Sequence, residues 1–431
     1  MPSLVTDVAR NRRVSCAAAV LALLAAGAFA ALTDGRAAPS RSAATVQIGA
    51  LLDLKSGWTT LGRASRVTLQ LAAADAGNRL VRAGSPTRVR LRIVDVKGKP
   101  DVAVRELRRL AASGVHVVIG PQSSAEVSAV RAAARSLGVV VVSQGSTAHS
   151  LAISGDNVFR LVPDDRREAE ALVALLKRDG IKAIVPAWRD DPGNSGLVSS
   201  VRGRFQAQGG SVRAGVRYAT DETTFANTVA QLRAQVGAAR AGGKKTAVYL
   251  AAFDEVVELF NAAAKDPVLK SVAWYGSDGV ALSRALIGDR TAASFAAARG
   301  YPNPILGLDA AAARRSATLR RRVRAKVGHD PDAFALTTYD ALQIAVRAAE
   351  RAGGAGNTTR FKRAFARTAN GYRGVTGTIR LNAAGDRAYG SFDFWSVCPQ
   401  GGSFAWRKTS AYLASGVGRG RIVKRQACAT R

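Results

Sequence analysis

The sequence has few of the residues that build metal sites and active sites, with three histidines, three cysteines and one methionine among 431 residues. His116, His149 and His329 show no ligand spacing among them. Gly193–Gly196 lacks the G-x-S-x-G pattern of a nucleophile elbow, and the glycine-rich Gly416–Gly420 follows no predicted strand. We therefore expect no metal, no cofactor and no enzyme activity.

The sequence also has little negative charge, with 31 acidic residues against 63 Lys and Arg and a formal net charge of +32. The arginines are scattered and no motif of basic and aromatic residues accompanies them, so we expect no nucleic-acid partner. A basic surface favours a weak attraction to the anionic polymers and headgroups of a cell envelope. A polyanion-binding surface protein is an alternative that rests on charge alone and predicts a steep salt dependence.

Only one apolar run approaches the length of a membrane span. Residues 14–31 follow three arginines in residues 10–13 and contain Ala28-Phe29-Ala30, a small-x-small cleavage pattern. This layout predicts a signal peptide over residues 1–30, with residue 38 as the latest cleavage point, and hence an exported, extracytoplasmic protein. The alternative is an uncleaved helix that anchors the protein in a membrane.

Two cysteines, Cys398 and Cys428, remain once such a signal peptide is removed. In an oxidising compartment an even number of cysteines favours a disulfide. We expect this bond to hold the C-terminal tail in place.

Short β-branched runs alternate with alanine-rich amphipathic stretches through most of the chain, in two successive series. The predicted strands are residues 46–52, 89–96, 115–120, 139–143, 181–188, 212–218, 246–252 and 271–275. The predicted helices are residues 62–78, 102–113, 125–137, 196–208, 225–239, 254–264, 313–326, 335–351 and 359–368, and a β-rich tail covers residues 377–395. Such alternation indicates an α/β fold of two similar lobes, each with a parallel central sheet between helices.

Two predicted strands of the first series end in hydroxyl and glycine residues. Ser124 follows the strand in "VVIGPQSSAEV", and Gly145, Ser146 and Thr147 follow the strand in "VVVVSQGSTAHSL". Ligands of open parallel sheets bind beyond the carboxyl ends of the strands, where hydroxyl and amide donors suit an anion. The alternative is that Ser124 and Thr147 only cap helices.

Carboxylates occupy the corresponding places in the second series. Asp165 precedes a helix in "RLVPDDRREAE", Asp254 follows the strand in "VYLAAFDEV", and Asp278 follows the strand in "WYGSDGV". If the two lobes face each other, hydroxyls oppose carboxylates, an arrangement that suits a zwitterion. The alternative for each aspartate is a helix cap or a turn.

The ordered set of these motifs, with "TTYDALQIAVRAAERAG" and "GVTGTIRLNAAGDR" after them, resembles the type I periplasmic binding proteins, and most of all the leucine/isoleucine/valine-binding branch. The resemblance covers Val46 to Trp395. It implies two Rossmann-like lobes joined by a three-crossing hinge that close on a ligand. The N-terminal lobe would comprise residues 45–162 and 293–378, and the C-terminal lobe residues 163–292 and 379–431.

The resemblance also implies roles for the ligand-site residues. Ser124 and the corner Gly145–Thr147 match the positions that hold the ligand α-carboxylate, and Asp165 and Asp278 match those for the ammonium, with Asp254 close to another. The sequence departs from the family at "RDDPGNSG", where Pro192 replaces the usual aromatic residue.

Two tryptophans are candidates for the pocket aromatic that Pro192 replaces. Trp188 and Trp58 are expected to supply the rings, with a place in the core as the alternative for both. The departure at Pro192 leaves the recognised side chain open.

The function implied by the resemblance is a solute-binding protein of an ABC importer that binds a branched-chain or similar amino acid. Its partners would be this small molecule and the transporter permease, and we expect a monomer. The alternative is a ligand-sensing receptor ectodomain of the same fold, anchored by an uncleaved N-terminal helix.

Overall fold

Apolar β-branched runs form the first sheet of the computed structural model, which describes residues 45–424 and residue 428. The predicted signal peptide therefore lies outside the described residues. The strands of this sheet are β1 (Thr45–Leu52), β2 (Arg88–Asp95), β3 (Val117–Ile119), β4 (Val140–Ser143) and β5 (Val158–Arg160). All pair in parallel in the order β2-β1-β3-β4-β5. The helices between them are α1 (Thr59–Arg82), α2 (Pro100–Ala112) and α3 (Ser124–Ser136).

The second series forms another parallel sheet. Its strands are β6 (Ala183–Arg189), β7 (Ser211–Val212), β8 (Val216–Tyr218), β9 (Thr246–Ala251) and β10 (Ala273–Tyr275). Its helices are α4 (Asp165–Arg178), α5 (Pro192–Ala207), α6 (Ala226–Ala241), α7 (Val256–Ala263), α8 (Arg284–Gly288) and α9 (Arg290–Arg299). Strand β6 lies between β9 on one side and β7 and β8 on the other. The predicted α/β class with parallel central sheets is thus confirmed.

Residues 212–218, predicted as one strand, form two. Gly215 lies between them with a φ of 84°, and a Cβ there would come within 2.5 Å of the Pro186 carbonyl oxygen. Only glycine tolerates both the left-handed backbone and this close approach, so the strand breaks at this residue.

The last third of the chain adds helices and an antiparallel sheet. The elements are β11 (Asn303–Leu306), α10 (Ala310–Val327), α11 (Ala333–Ala352), α12 (Thr358–Ala369), β12 (Arg373–Gly374), β13 (Gly377–Thr378), β14 (Phe392–Gln400), β15 (Ser403–Gly416) and β16 (Arg419–Lys424). The sheet order is β11-β14-β15-β16. No strand was predicted before Gly416–Gly420, and this was wrong, because β15 ends at Gly416 and the segment turns the hairpin between β15 and β16.

The inner strands β1, β3 and β4 of the first sheet are buried on both faces, which explains their nearly continuous apolar sequences. Ile48 and Ala50 of β1 pack against α11 and α12, whereas Leu51 packs against α2 and α3. Among the helices of residues 45–424, none has the length and apolarity needed to cross a bilayer.

The packing bears on where the chain crosses between the two sheets. Phe295 and Tyr301 belong to the core of the second sheet, whereas Ile379 belongs to that of the first. Phe295 and Tyr301, which were expected in the N-terminal lobe, therefore pack with the second sheet, and Ile379, which was expected in the C-terminal lobe, packs with the first. Helix α9 stays with the second lobe because its buried alanines pack on the apolar core that α7 also lines.

The disulfide ties the end of the chain to β14. Cys398 and Cys428 are bonded, with their Cα atoms 5.4 Å apart. We expect Cys428→Ser to lower the free energy of unfolding by about 3–4 kcal/mol, because the bond closes a loop with a sequence separation of 30 residues. Urea unfolding with and without reductant measures the effect. Two titratable thiols in denatured, unreduced protein would contradict it.

Candidate functional site

The two hydroxyl corners of the first lobe meet beside α3. The Ser124 Oγ lies 3.0 Å from the Ser146 Oγ and accepts a hydrogen bond from the Ala148 N–H at 3.1 Å. Ser123, not Ser124, caps α3, through a capping box with Glu126. Helix capping therefore does not account for Ser124, which instead fastens one corner to the other.

A buried ion pair supports the second corner from behind. Arg160 donates to both carboxylate oxygens of Asp386, at 2.7 and 2.6 Å, and to the Ala148 carbonyl at 2.6 Å. Both side chains are almost completely buried, so this bidentate pair holds the backbone that follows Thr147 in one position.

The corners line a small cavity that the second lobe closes. Its residues come from both lobes and are Trp58, Ser124, Gly145, Thr147, Gly193, Asn194, Leu197, Phe253 and Asp278. The volume of this cavity is about 20 Å³, roughly what one water molecule needs. Five of the nine predicted residues line the cavity, namely Trp58, Ser124, Gly145, Thr147 and Asp278.

Backbone and ring contacts close the cleft around this cavity. The rings of Trp58 and Phe253 stack at a tilt with centroids 4.7 Å apart, and the Asp254 N–H donates to the Gly57 carbonyl at 3.1 Å. A Cβ on Gly145 would lie 3.3 Å from the Trp58 ring and 2.9 Å from a backbone oxygen. Glycine at this position therefore lets the ring lie against the corner.

Two predicted ligand residues take other roles. Trp188 packs on the core of the second lobe beside Gly215, and Phe253 supplies the second ring of the cavity in its place. Asp254 accepts a hydrogen bond from the Ser283 hydroxyl at 2.5 Å, and burial raises its pKa to about 6. Neither residue lines the cavity, because β6 directs Trp188 into the core and Asp254 bonds the start of α8.

Three buried carboxylates cluster at the wall of the cavity. Asp278 lines the cavity, and its N–H donates to Glu168 Oε1 at 3.3 Å. Asp165, one turn before Glu168 on α4, lies behind Thr147 and donates its own N–H to the Thr147 carbonyl at 2.9 Å. Glu168 was not predicted from the sequence, although the i, i+3 spacing from Asp165 puts both side chains on one helix face.

Burial controls the protonation of this cluster. Burial raises the pKa of Asp278 to about 7. Burial raises the pKa of Asp165 to about 8, a rise that the Thr147 hydroxyl opposes and the Asp278 charge adds to. Burial and the charges of these two aspartates raise the pKa of Glu168 well above its usual range. The cluster thus suits a cationic group, which would let its members ionise.

Two further polar atoms at the cluster have no partner within residues 45–424. Asp165 Oδ1 accepts no hydrogen bond, and the hydroxyl of the fully buried Tyr249 makes none. The pKa of Tyr249 is raised by its burial and by the charges of all three carboxylates. In the described part of the chain, no three His, Cys, Asp or Glu side chains are grouped so as to hold a metal ion.

Known proteins share this architecture. The structure is similar to a leucine binding protein, LivK, from Thermotoga maritima, with a TM-score of 0.70, 20% identity, and coverage of 84% of this chain and 97% of that one. It is also similar to LivJ from Streptococcus pneumoniae, a branched-chain amino acid transporter substrate binding protein in complex with isoleucine. The TM-score is 0.67 and the identity 19%, with coverage of 88% of this chain and 100% of that one.

A third solved structure has a different ligand. It is an ABC transporter solute binding protein from R. palustris in complex with benzoate, with a TM-score of 0.69, 18% identity, and coverage of 87% of this chain and 99% of that one. At these identities the likenesses show the fold. The sequence profile of the periplasmic binding proteins matches residues 45–398. The resemblance seen in the sequence is thereby confirmed, and this chain belongs to the periplasmic binding protein family.

Proposed function

We propose that this protein is the extracytoplasmic solute-binding component of an ABC importer and binds a small amino acid between its lobes. The observation that carries the proposal is the two-sided polarity of the cavity. Hydroxyls of Ser124 and Thr147 line one side, and Asp278, backed by Asp165 and Glu168, lines the other. Donors opposite carboxylates match the carboxylate and the ammonium of a zwitterion.

The apolar part of the cavity supports a hydrocarbon side chain on the ligand. Trp58, Phe253 and Leu197 line it, and their rings and methyl groups gain from covering apolar surface. An amino acid is much larger than the room that the closed cleft offers. The ligand therefore enters when the Trp58 and Phe253 rings separate, and closure over it follows as a hinge motion.

The acidic cluster lets the site discriminate between a zwitterionic ligand and a simple carboxylate. Benzoate is the ligand of one structural neighbour and isoleucine that of another, and only isoleucine carries an ammonium. A carboxylate without an ammonium would leave the Asp278 cluster unpaired in a buried site. The proposed function thus favours zwitterions over benzoate-like acids.

The remaining parts of the proposal concern the setting of the protein. It is exported through the N-terminal segment, acts as a monomer of two lobes, and delivers its ligand to a permease without catalysis or cofactor. Its basic surface attracts it weakly to an anionic cell envelope.

A thermal-shift screen tests the proposed function. Leucine, isoleucine, valine, their amides and benzoate are added separately at saturating concentration, since a ligand of the folded state raises the apparent stability. We expect the zwitterions to raise the melting temperature and benzoate to leave it unchanged. An equal shift with benzoate would contradict the assignment of the acidic cluster to an ammonium.

The hydroxyl side is tested by Thr147→Ala. We expect this change to weaken binding of the zwitterion found in the screen by about 1–3 kcal/mol, the range for a hydrogen bond to a charged group. Isothermal titration calorimetry measures the affinity, and Thr359→Ala, at an exposed threonine on α12, is the matched control. Unchanged affinity in both Thr147→Ala and Ser124→Ala would show that the hydroxyls only hold the corners together.

A further inference from the structure

A second cavity lies between α1 and α11, and we name it the α1–α11 cavity. Its volume is about 390 Å³. The residues that line it are Asp75, Asn78, Arg79 and Arg82 of α1, Tyr339, Gln343 and Arg347 of α11, and Tyr372 after α12. These positions recur every three or four residues along each helix, so each helix contributes one continuous face.

The α1–α11 cavity is separate from the ligand cleft. Helix α1 begins at Thr59, next to the cavity residue Trp58, and Arg79 lies twenty residues further along the same helix. At about 1.5 Å per residue the two positions are roughly 30 Å apart. A small molecule in one site therefore cannot contact the other.

Positive charge exceeds negative charge in the α1–α11 cavity. Its single carboxylate, Asp75, is already paired with Arg322 at 2.8 and 3.2 Å and accepts the Tyr339 hydroxyl at 3.1 Å. Within residues 45–424, Arg82 and Arg347 pair with no carboxylate, whereas Arg79 pairs through its Nη2 with Glu350 at 2.7 Å. The lining thus carries an uncompensated excess of guanidinium charge.

Two donors at the cavity are buried and lack an acceptor. The Nε atoms of Arg79 and Arg347 are shielded from solvent and donate no hydrogen bond to any described residue. A hydrogen bond between the Tyr372 side chain and Arg347 brings a hydroxyl to the same place. Buried donors without acceptors are costly, and both belong to arginines that line the α1–α11 cavity.

We propose that the α1–α11 cavity binds a small anion that carries a phosphate group. Arginine matches the oxygens of such groups through two parallel hydrogen bonds. The oxygens of a tetrahedral phosphate point in several directions, so one phosphate can reach Arg79 and Arg82 on α1 and Arg347 on α11 together. Its negative charge offsets the excess of positive charge in the lining.

Calorimetric titration of the intact protein with inorganic phosphate at low ionic strength tests this site. We expect Arg347→Gln to weaken phosphate binding about tenfold, the loss of one charge-assisted contact. Arg66→Gln is the matched control, because Arg66 is an exposed arginine of the same helix outside the cavity. It removes the same net charge and is expected to change the affinity less than about twofold.

A replacement variant and a second ligand complete the phosphate titration. If Arg347→Gln fails to fold, Arg82→Gln replaces it, because Arg82 is exposed and pairs with no carboxylate in the described chain. Glycerol 3-phosphate is expected to bind where phosphate binds, with the same dependence on Arg347. Absence of phosphate binding, equal weakening by Arg66→Gln, or binding only to phosphatidylglycerol vesicles would overturn the proposal. Because the amino acid site is measured separately, failure here leaves the proposed function untouched.

Discussion

The substitution Asp278→Asn is expected to weaken binding of a zwitterionic amino acid by about 2–5 kcal/mol, the range for losing one member of a buried, hydrogen-bonded charge pair. Asn keeps the size of the side chain and its turn-forming oxygen and loses only the charge. Asp278 is the carboxylate that lines the cavity. Its backbone N–H, which donates to Glu168, is not altered by the substitution.

The same substitution is expected to raise the stability of the ligand-free protein above neutral pH. Asp278 and its neighbours repel one another when ionised, which is why burial and the nearby aspartate charges raise the pKa of Glu168 so far. Removing one charge relieves this repulsion. Loss of affinity together with a gain in stability distinguishes a ligand-binding carboxylate from a structural turn residue, for which stability would fall.

The control for Asp278→Asn is Asp332→Asn. Asp332 is also buried, with its pKa raised by burial to about 6, but it caps α11, a role that Asn also fills. Its substitution should leave the affinity unchanged. If Asp278→Asn behaves like this control, the ammonium contacts Asp165 instead, or the ligand has no ammonium.

Sequence periodicity was sufficient for the parallel sheets because their inner strands are apolar on both faces and most of the strands are separated by amphipathic helices. Periodicity failed where the chain no longer alternates between strands and helices. Strand β15 alternates charged, aromatic and small residues over Ser403–Gly416, and it is stabilised by pairing with β14 and β16. Such pairing is set by distant residues, so no local pattern indicated this hairpin.

The candidate site was predictable where backbone position alone decides which residues come together. Corners at the ends of β3 and β4 must lie at one edge of a parallel sheet, which is why Ser124 and Thr147 meet. For the other predicted residues, the direction of the side chain decided whether the residue lines the cavity. Trp188 lies near the end of β6 and Phe253 just beyond the end of β9, yet only Phe253 lines the cavity, because the face that each side chain takes depends on register and closure.

The stability of the ligand-free protein is expected to fall as pH rises from about 4 to about 8.5, by about 3–6 kcal/mol. Burial raises the pKa of Asp278 to about 7 and that of Asp165 to about 8. Between pH 4 and these values the folded state keeps protons that the unfolded state has lost. The stabilisation is complete below the unfolded pKa and is gone once pH has passed the folded pKa values, so the loss extends over the whole interval from about pH 4 to about pH 8.5.

Chemical denaturation at each pH measures this loss, and two additions assign it to the carboxylate cluster. Asp165→Asn should reduce the dependence of stability on pH, because Asp278 and Glu168 then ionise without the negative charge of Asp165 beside them. A saturating zwitterion should flatten it as well, since its ammonium stabilises the ionised carboxylates that otherwise repel one another. Stability that stays level or rises over this range would show that the cluster ionises freely in the folded protein. The cavity would then lack the pH-dependent preference for a cation on which recognition of an ammonium rests.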